Sequence, residues 1–180
     1  VTDELWRAHT ELGFDWEAID FFSFIADLVA GEDDIQIMYG IGGEKELTER
    51  ELDHLPGYAN SRPVRIGNAA YAQKQHDVWG ALLDSVYLHF KAANRLDNRI
   101  WSILDKQVSE ALKYWREPDA GIWEVRGTLQ HFTSSKIMCW VAVDRGVKIA
   151  RMTGEEGKAA EWELAAQEIR DDILTNGVDD

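Results

Sequence analysis

Helical periodicity recurs in six segments of this 180-residue chain, and the links between the segments constrain the fold most strongly. Short turns join the segments into three pairs, at Gly13, at Asn94 and at Thr153-Gly154. Two long links, 31–68 and 117–132, separate the pairs, and each leaves the second helix of a pair. The pattern predicts an all-α array of antiparallel helical hairpins, a partial α/α toroid of about three hairpins with its site on one rim.

The six predicted helices cover about residues 3–11, 15–30, 68–90, 97–116, 133–150 and 155–174. The fifth starts at Thr133, a predicted N-cap, and is apolar on nearly all sides, which predicts deep burial. The sixth has an apolar face that includes Trp162. Alternation from Ile35 to Tyr39 predicts a short strand or extended segment in the first long link. Residues 1–180 are expected to be part of a single domain, since their number suffices for one core.

Composition narrows the classes of function. The net charge of −14, from 33 acidic and 19 basic residues, argues against nucleic acid and against an anionic membrane surface as partners. A neutral substrate such as a carbohydrate fits this balance. The lone cysteine, Cys139, lies in an apolar run and is predicted to be a buried thiol, which favours a cytoplasmic location. The chain opens as if inside a helix, with no leader and no membrane-length run, so we expect a fragment.

The sequence contains no motif that is typical of metal-binding or nucleotide-binding sites. The five histidines are scattered without metal-ligand spacing, and neither a dinucleotide-binding fingerprint nor a Walker motif is present. We therefore expect neither a metal nor another cofactor. The carboxylate-rich run 44–53 is interpreted as a solvated face, partly paired with Lys45 and Arg50.

The glycine-bounded segment Gly121–Gly127 places Glu124 between Trp123 and Arg126. An indole ring can stack on the apolar face of a sugar, and a carboxyl group can protonate a glycosidic oxygen. An aromatic wall raises the pKa of a carboxyl group and a nearby arginine lowers it, so we expect Arg126 to face away. From these residues alone, an ordinary surface loop stays an alternative. Six of the other tryptophans fall within helical segments, and Trp16 begins one, so Trp123 alone is predicted to be functional.

Arg62 and Arg65 flank Pro63 in the stretch that leads into the third predicted helix. The planar fork of an arginine can hold vicinal hydroxyl groups or orient a carboxylate. Equally, both side chains could tie the link to its own backbone carbonyls.

Five motifs together resemble the family 15 glycoside hydrolases, in their bacterial glucoamylase and trehalase-like branch, over nearly the whole chain and in the same order. They are QIMYGIGGE (36–44), ELDHLPGY (51–58), SRPVRIGNAA (61–70), GIWEVRG (121–127) and HFTSSKIMCW (131–140). The resemblance implies a toroid of six hairpins and hydrolysis of an α-glucosidic bond with inversion.

The same resemblance assigns roles to residues. Glu124 matches the family's general acid, the backbone carbonyls of Ile122 and Trp123 would help to hold the glucose, and Arg62 and Arg65 would line the site. The family's general base and its Trp-x-Arg-Asp sugar clamp match no residue here, so this piece alone is expected to be inactive. The partner would be an α-glucoside or α-glucan, with self-association through the open face of the incomplete toroid. A non-catalytic carbohydrate-binding or helical interaction module is the alternative.

Overall fold

The computed structural model of the chain describes residues 24–25, 35–93, 98–124 and 126–178. Residues 24–25 are helical, and the other ranges hold four α-helices: α1 (Val78–Ala93), α2 (Asn98–Tyr114), α3 (Thr133–Thr153) and α4 (Glu156–Asn176). The first long link contributes two 3-10 helices, Tyr58–Asn60 and Ala69–Ala72, and an antiparallel ladder of β1 (Arg50–Glu51) with β2 (Arg65–Ile66). The predicted all-α class is confirmed. The first predicted hairpin, 3–30, lies outside the described residues apart from 24–25.

Helix α3 is the centre of the described core, because it packs against α1, α2 and α4. Its predicted deep burial is confirmed on the face that contacts these helices. A Cβ at Gly146 would lie 2.7 Å from Val108 Cγ2 of α2 and 3.2 Å from the Trp162 ring of α4, so the glycine permits close approach on two sides. The largest fully buried side chains include Trp162, Leu83, Leu104, Ile149 and Ile169.

The predicted apolar faces and the predicted turn between the last two helices are confirmed. Helix α3 ends at Thr153, and Gly154 adopts φ +82° so that its N–H can bond to the last carbonyls of the helix. On α4, Ala159, Trp162, Ala166 and Ile169 are buried. Among the described residues, no helix combines the length and apolarity that a membrane crossing requires.

Two helix starts differ from the prediction. The third predicted helix does not follow Asn68 directly: Asn68 caps the short 3-10 helix Ala69–Ala72, Gln73 is extended, and α1 begins only at Val78. Thr133 is the first residue of α3 and not its N-cap, which is Phe132. The Thr133 hydroxyl instead donates to the carbonyl of Gly177, 3.4 Å away at the end of α4.

The segment Ile35–Tyr39, predicted as a short strand or extended segment, forms no strand and is irregular. The Gln36 N–H donates to the Tyr39 hydroxyl oxygen at 2.7 Å, and Gly40 and Gly43 close a turn immediately afterwards. A strand needs a ladder partner, and the local hydrogen bonds here take that place. The extended pairing in this link lies further on, between β1 and β2.

Candidate functional site

The link between α2 and α3 carries the predicted acid at the end of a tight turn. Gly121 adopts φ +67°, the Glu124 N–H lies 3.4 Å from the Gly121 carbonyl oxygen, and Glu124 itself has φ +52°. Residues other than glycine rarely adopt this left-handed backbone conformation, and those that do cluster at functional sites. Ile122 is 56% exposed and Trp123 is 82% exposed. These residues, Ile122 to Glu124, form the tip of the link and present an indole and a carboxylate to solvent.

The base of the same link, residues 119–120 and 130, is hydrogen-bonded, and Asp119 and Ala120 are buried. Asp119 pairs through its backbone with Gln130, at 2.9 and 3.0 Å. Its carboxylate is 1% exposed and accepts from the His76 backbone N–H and from the Ser135 hydroxyl, each at 2.8 Å. The Ala120 N–H also bonds to the Lys74 carbonyl at 3.0 Å. The base therefore joins the segment before α1 to the first turn of α3.

Asn68 brings two of the sequence motifs together. Its side-chain oxygen accepts from the Ala70 N–H at 3.0 Å, which caps the 3-10 helix, and its amide nitrogen lies 3.3 Å from Glu124 Oε2. The capping role orients the amide, so that its donor points at the predicted acid. Sequence analysis assigned no role to Asn68, although a polar residue ahead of a helical segment is a recognisable cap signal.

Glu49, in the first long link, binds Arg126, which lies two residues beyond the tip. Its carboxylate holds Arg126 in two contacts, Nη2 to Oε2 at 2.8 Å and Nη1 to Oε1 at 3.4 Å, and Arg65 Nε lies 3.5 Å from Oε1. The Ala69 N–H completes the set at 3.4 Å. The hydrogen bond from Arg126 lowers the pKa of Glu49, and the same bond raises the pKa of Arg126. The interpretation of 44–53 as a solvated face is therefore wrong at Glu49, whose partners lie far along the chain.

Arg62 and Arg65 line a shallow cavity of about 400 Å³ beside Glu51 and Leu52. Arg65 Nη2 donates to Glu51 Oε1 at 3.0 Å, in addition to its contact with Glu49. Its described partners are thus carboxylates and not the backbone carbonyls of the link. Arg62, which precedes a cis proline bond, makes no ion pair with the described acidic residues. Arg65 is therefore connected to Arg126 through Glu49, whereas Arg62 lies on the cavity wall.

A second cavity, of about 160 Å³, lies beside the base of the link. Residues 35–37, 71–76, 78 and 79 line it, including Lys74, whose carbonyl accepts from the Ala120 N–H. The indole N–H of Trp79 and the side-chain oxygen of Gln36 are buried there without a hydrogen-bond partner among the described residues. A hydroxyl group both donates and accepts, so water or a sugar hydroxyl could satisfy either atom.

Cys139 lies beneath this region and is fully buried, as predicted. Burial raises the pKa of its thiol to about 12, and the thiol lies 3.5 Å from the His76 carbonyl oxygen. Such a thiol is inert and structural. In the part of the chain that the structure describes, no group of three or more His, Cys, Asp or Glu side chains is arranged to hold a metal ion.

Comparison with known proteins gives one family. The family model described as glycosyl hydrolases family 15 matches residues 3–180. A trehalase of Mycolicibacterium smegmatis is 58% identical and one of Mycobacterium tuberculosis 56%, each over 99% of this chain; a trehalase of Thermoplasma acidophilum is 33% identical over 96%. No solved structure matches.

This chain spans 27% of the length of the two mycobacterial trehalases. The family match extends over nearly all of its residues and confirms the resemblance that the five motifs indicated. The chain belongs to glycosyl hydrolase family 15.

Proposed function

We propose that the whole protein is an inverting glycoside hydrolase that cleaves an α-glucosidic bond, with Glu124 as its general acid. Trehalose is the substrate we favour, because the similar proteins are named trehalases. The observation that carries the proposal is the tip of the link, where Glu124 is exposed beside Trp123 and in contact with Asn68. A glucoamylase-like preference for longer α-glucans is the neighbouring possibility within the family.

In the proposed reaction, the carboxyl proton of Glu124 passes to the glycosidic oxygen as its bond to the anomeric carbon breaks. A second carboxylate takes a proton from water on the opposite face of the sugar, and the hydroxide oxygen bonds to that carbon with inversion. Inverting enzymes separate the two carboxyl groups by about 6.5–9.5 Å. We assign the second group to a part of the whole protein beyond these residues.

The other site residues position the sugar in this proposal. The Trp123 ring stacks on a sugar face, and the backbone carbonyls of Ile122 and Trp123 accept from its hydroxyl groups. Arg62 and Arg65 line the site from the first long link. The two described hairpins are then consecutive members of an α/α toroid, with both long links on the rim that holds the substrate. Because the lone cysteine is a buried thiol, we also propose that the protein is cytoplasmic.

Glu124→Gln in the whole protein tests the assignment. General acid catalysis contributes about 10²–10⁴-fold, so kcat on trehalose should fall on that scale while KM changes little. An α-glucosyl fluoride needs less protonation of its leaving group and should recover part of the loss. Equal losses on both substrates, or no loss on either, would show that Glu124 is not the acid.

A further inference from the structure

Arg126 lies two residues beyond Glu124 and carries an opposite charge that interacts with it. The hydrogen bond that Arg126 donates to Glu49 is the largest cause of its raised pKa, and the charge of Glu124 also contributes. The guanidinium therefore has two possible carboxylate partners. In the structure it binds Glu49, with one contact of 2.8 Å and one of 3.4 Å.

A guanidinium in contact with a general acid would impair it. An adjacent positive charge favours the ionised form of a carboxyl group, whereas the acid must carry a proton when the glycosidic bond breaks. Binding of Arg126 by Glu49 in two contacts removes this competitor, since a fork geometry holds an arginine in a fixed orientation. The side chain of Glu49 is only 20% exposed, which limits competition from water.

Glu49 also contacts the segment that carries Asn68. Its Oε2 accepts from the Ala69 N–H at 3.4 Å, at the start of the 3-10 helix that Asn68 caps. Asn68 in turn points its amide at Glu124 Oε2. One carboxylate therefore binds Arg126 and also contacts the residue that follows Asn68, whose amide lies against Glu124.

We propose that Glu49 is a positioning residue of the reaction, which holds Arg126 away from the Glu124 carboxyl group and keeps Asn68 against it. The inference rests on the proposed role of Glu124 as the general acid. No match to a sequence motif assigns this role to Glu49, and its partner Arg126 lies 77 positions away.

The test compares four variants of the whole protein: Glu49→Gln, Arg126→Gln, the double variant, and Glu46→Gln. Glutamine at 49 keeps an acceptor for Ala69 but removes the charge that binds Arg126. We expect Glu49→Gln to lower kcat on trehalose roughly tenfold, with KM nearly unchanged. Arg126→Gln and the double variant should stay within about threefold of the parent, because the competing cation is gone.

Glu46→Gln is the matched control for charge. Glu46 lies on the same segment, and its carboxylate accepts from the Thr48 hydroxyl, so its loss removes one negative charge and leaves Arg126 bound. Full activity in this control assigns the loss in Glu49→Gln to the contact with Arg126. If the double variant is as impaired as Glu49→Gln, or if Arg126→Gln alone is equally impaired, the ion pair is merely a structural tie and the proposal is wrong.

The pH profile supplies a readout that a structural tie would not move. The groups described around Glu124 are Asn68 and Arg126, with Glu49 and Arg65 linked to Arg126. In Glu49→Gln, the freed guanidinium should move the alkaline limb of the kcat/KM profile to lower pH, and Arg126→Gln in the same background should restore it. An unmoved limb in Glu49→Gln contradicts the proposal.

Epistasis separates failure of this proposal from failure of the proposed function. With α-glucosyl fluoride as the substrate, adding Glu49→Gln to Glu124→Gln should cost no further activity, because Glu49 acts through Glu124. A further tenfold loss would overturn the role of Glu49 and leave the acid assignment intact. Equal losses of Glu124→Gln on fluoride and trehalose would overturn the acid assignment itself.

Discussion

The base and the tip of the link between α2 and α3 are held by opposite means. At the base, the carboxylate of Asp119 is almost fully buried and accepts two hydrogen bonds of 2.8 Å. At the tip, Trp123 is exposed, and the carboxylate of Glu124 has one described hydrogen bond, of 3.3 Å, from Asn68. Hydrogen bonds in a low-dielectric interior are strong, and their loss leaves costly unpaired groups. The base therefore provides rigidity, while the tip stays accessible to a substrate.

Asp119→Ala should have the largest effect on stability, because it leaves the His76 N–H and the Ser135 hydroxyl buried without an acceptor. Each unsatisfied group costs about 1–3 kcal/mol, so the free energy of unfolding should fall by roughly 2–5 kcal/mol. Urea unfolding of the whole protein measures it. Asp119→Asn keeps one acceptor oxygen and should lose less. A loss below about 1 kcal/mol in the alanine variant would mean that the base is not the anchor.

Gly121→Ala tests the boundary between base and tip. The residue has φ +67°, and a Cβ there would lie 2.8 Å from two atoms of the Phe132 ring. The left-handed conformation costs about 1–2 kcal/mol for alanine, and the crowded ring should bring the total loss of stability to roughly 2–4 kcal/mol.

Gly154→Ala is the matched control for Gly121→Ala. It has φ +82°, yet no atom lies within 4 Å of the added Cβ, so only the conformational cost of about 1–2 kcal/mol applies. The difference between the two losses, measured by the same urea unfolding, isolates the contact with Phe132. Equal losses would mean that the ring moves aside without cost and that the boundary is not rigid.

The pH dependence of stability tests the buried base, where the His76 N–H bonds to Asp119. Burial lowers the pKa of His76 below its usual 6.5, although the charge of Asp119 opposes the shift, and the ring stacks on Trp79 at 5.1 Å. Below pH 6.5 the unfolded chain binds a proton that the folded chain excludes, so stability is lost as the pH falls through this window.

His76→Phe should flatten the decline in stability between pH 7 and pH 5 while leaving the slope above pH 7 unchanged. Phenylalanine preserves an aromatic ring against Trp79, and the hydrogen bond to Asp119 uses the backbone N–H, so both contacts can persist. Urea unfolding at several pH values measures the slope. An identical decline in the variant would assign the acid sensitivity to other groups.

Local periodicity predicted the helices well, because the apolar face of a helix is formed by residues three and four positions apart. Helix α3 was predicted over 133–150 and extends over 133–153, and the predicted apolar face of α4 that includes Trp162 is buried. The errors arose where short-range polar bonds compete with periodicity. Asn68 caps a 3-10 helix and α1 begins only at Val78, and the Tyr39 hydroxyl bonds within the segment that was predicted as a short strand or extended segment.

The contacts around the predicted acid could not be read from the sequence. Motifs indicated Glu124 and Trp123, but the partners that hold them are distant: Asn68 lies 56 positions from Glu124, and Glu49 lies 77 positions from Arg126. Asp119 is 43 positions from His76 and has no local pattern to mark it. Only the packing of the two links against each other brings these groups into contact. The site assignments from the family resemblance remain predictions.

Trp123→Ala should give the smallest change in stability, because the tip, unlike the base, is exposed. The side chain is 82% exposed, so its removal should alter the free energy of unfolding by no more than about 0.5 kcal/mol. If the indole stacks on the sugar, the loss of that apolar contact should raise KM on trehalose by roughly tenfold, and Trp123→Phe, which keeps a ring, should lie between. A matched pair of measurements on the whole protein, urea unfolding and steady-state kinetics, separates the two effects. A large loss of stability with unchanged KM would show that Trp123 packs as part of the scaffold, and the distinction between a rigid base and an accessible tip would then be wrong.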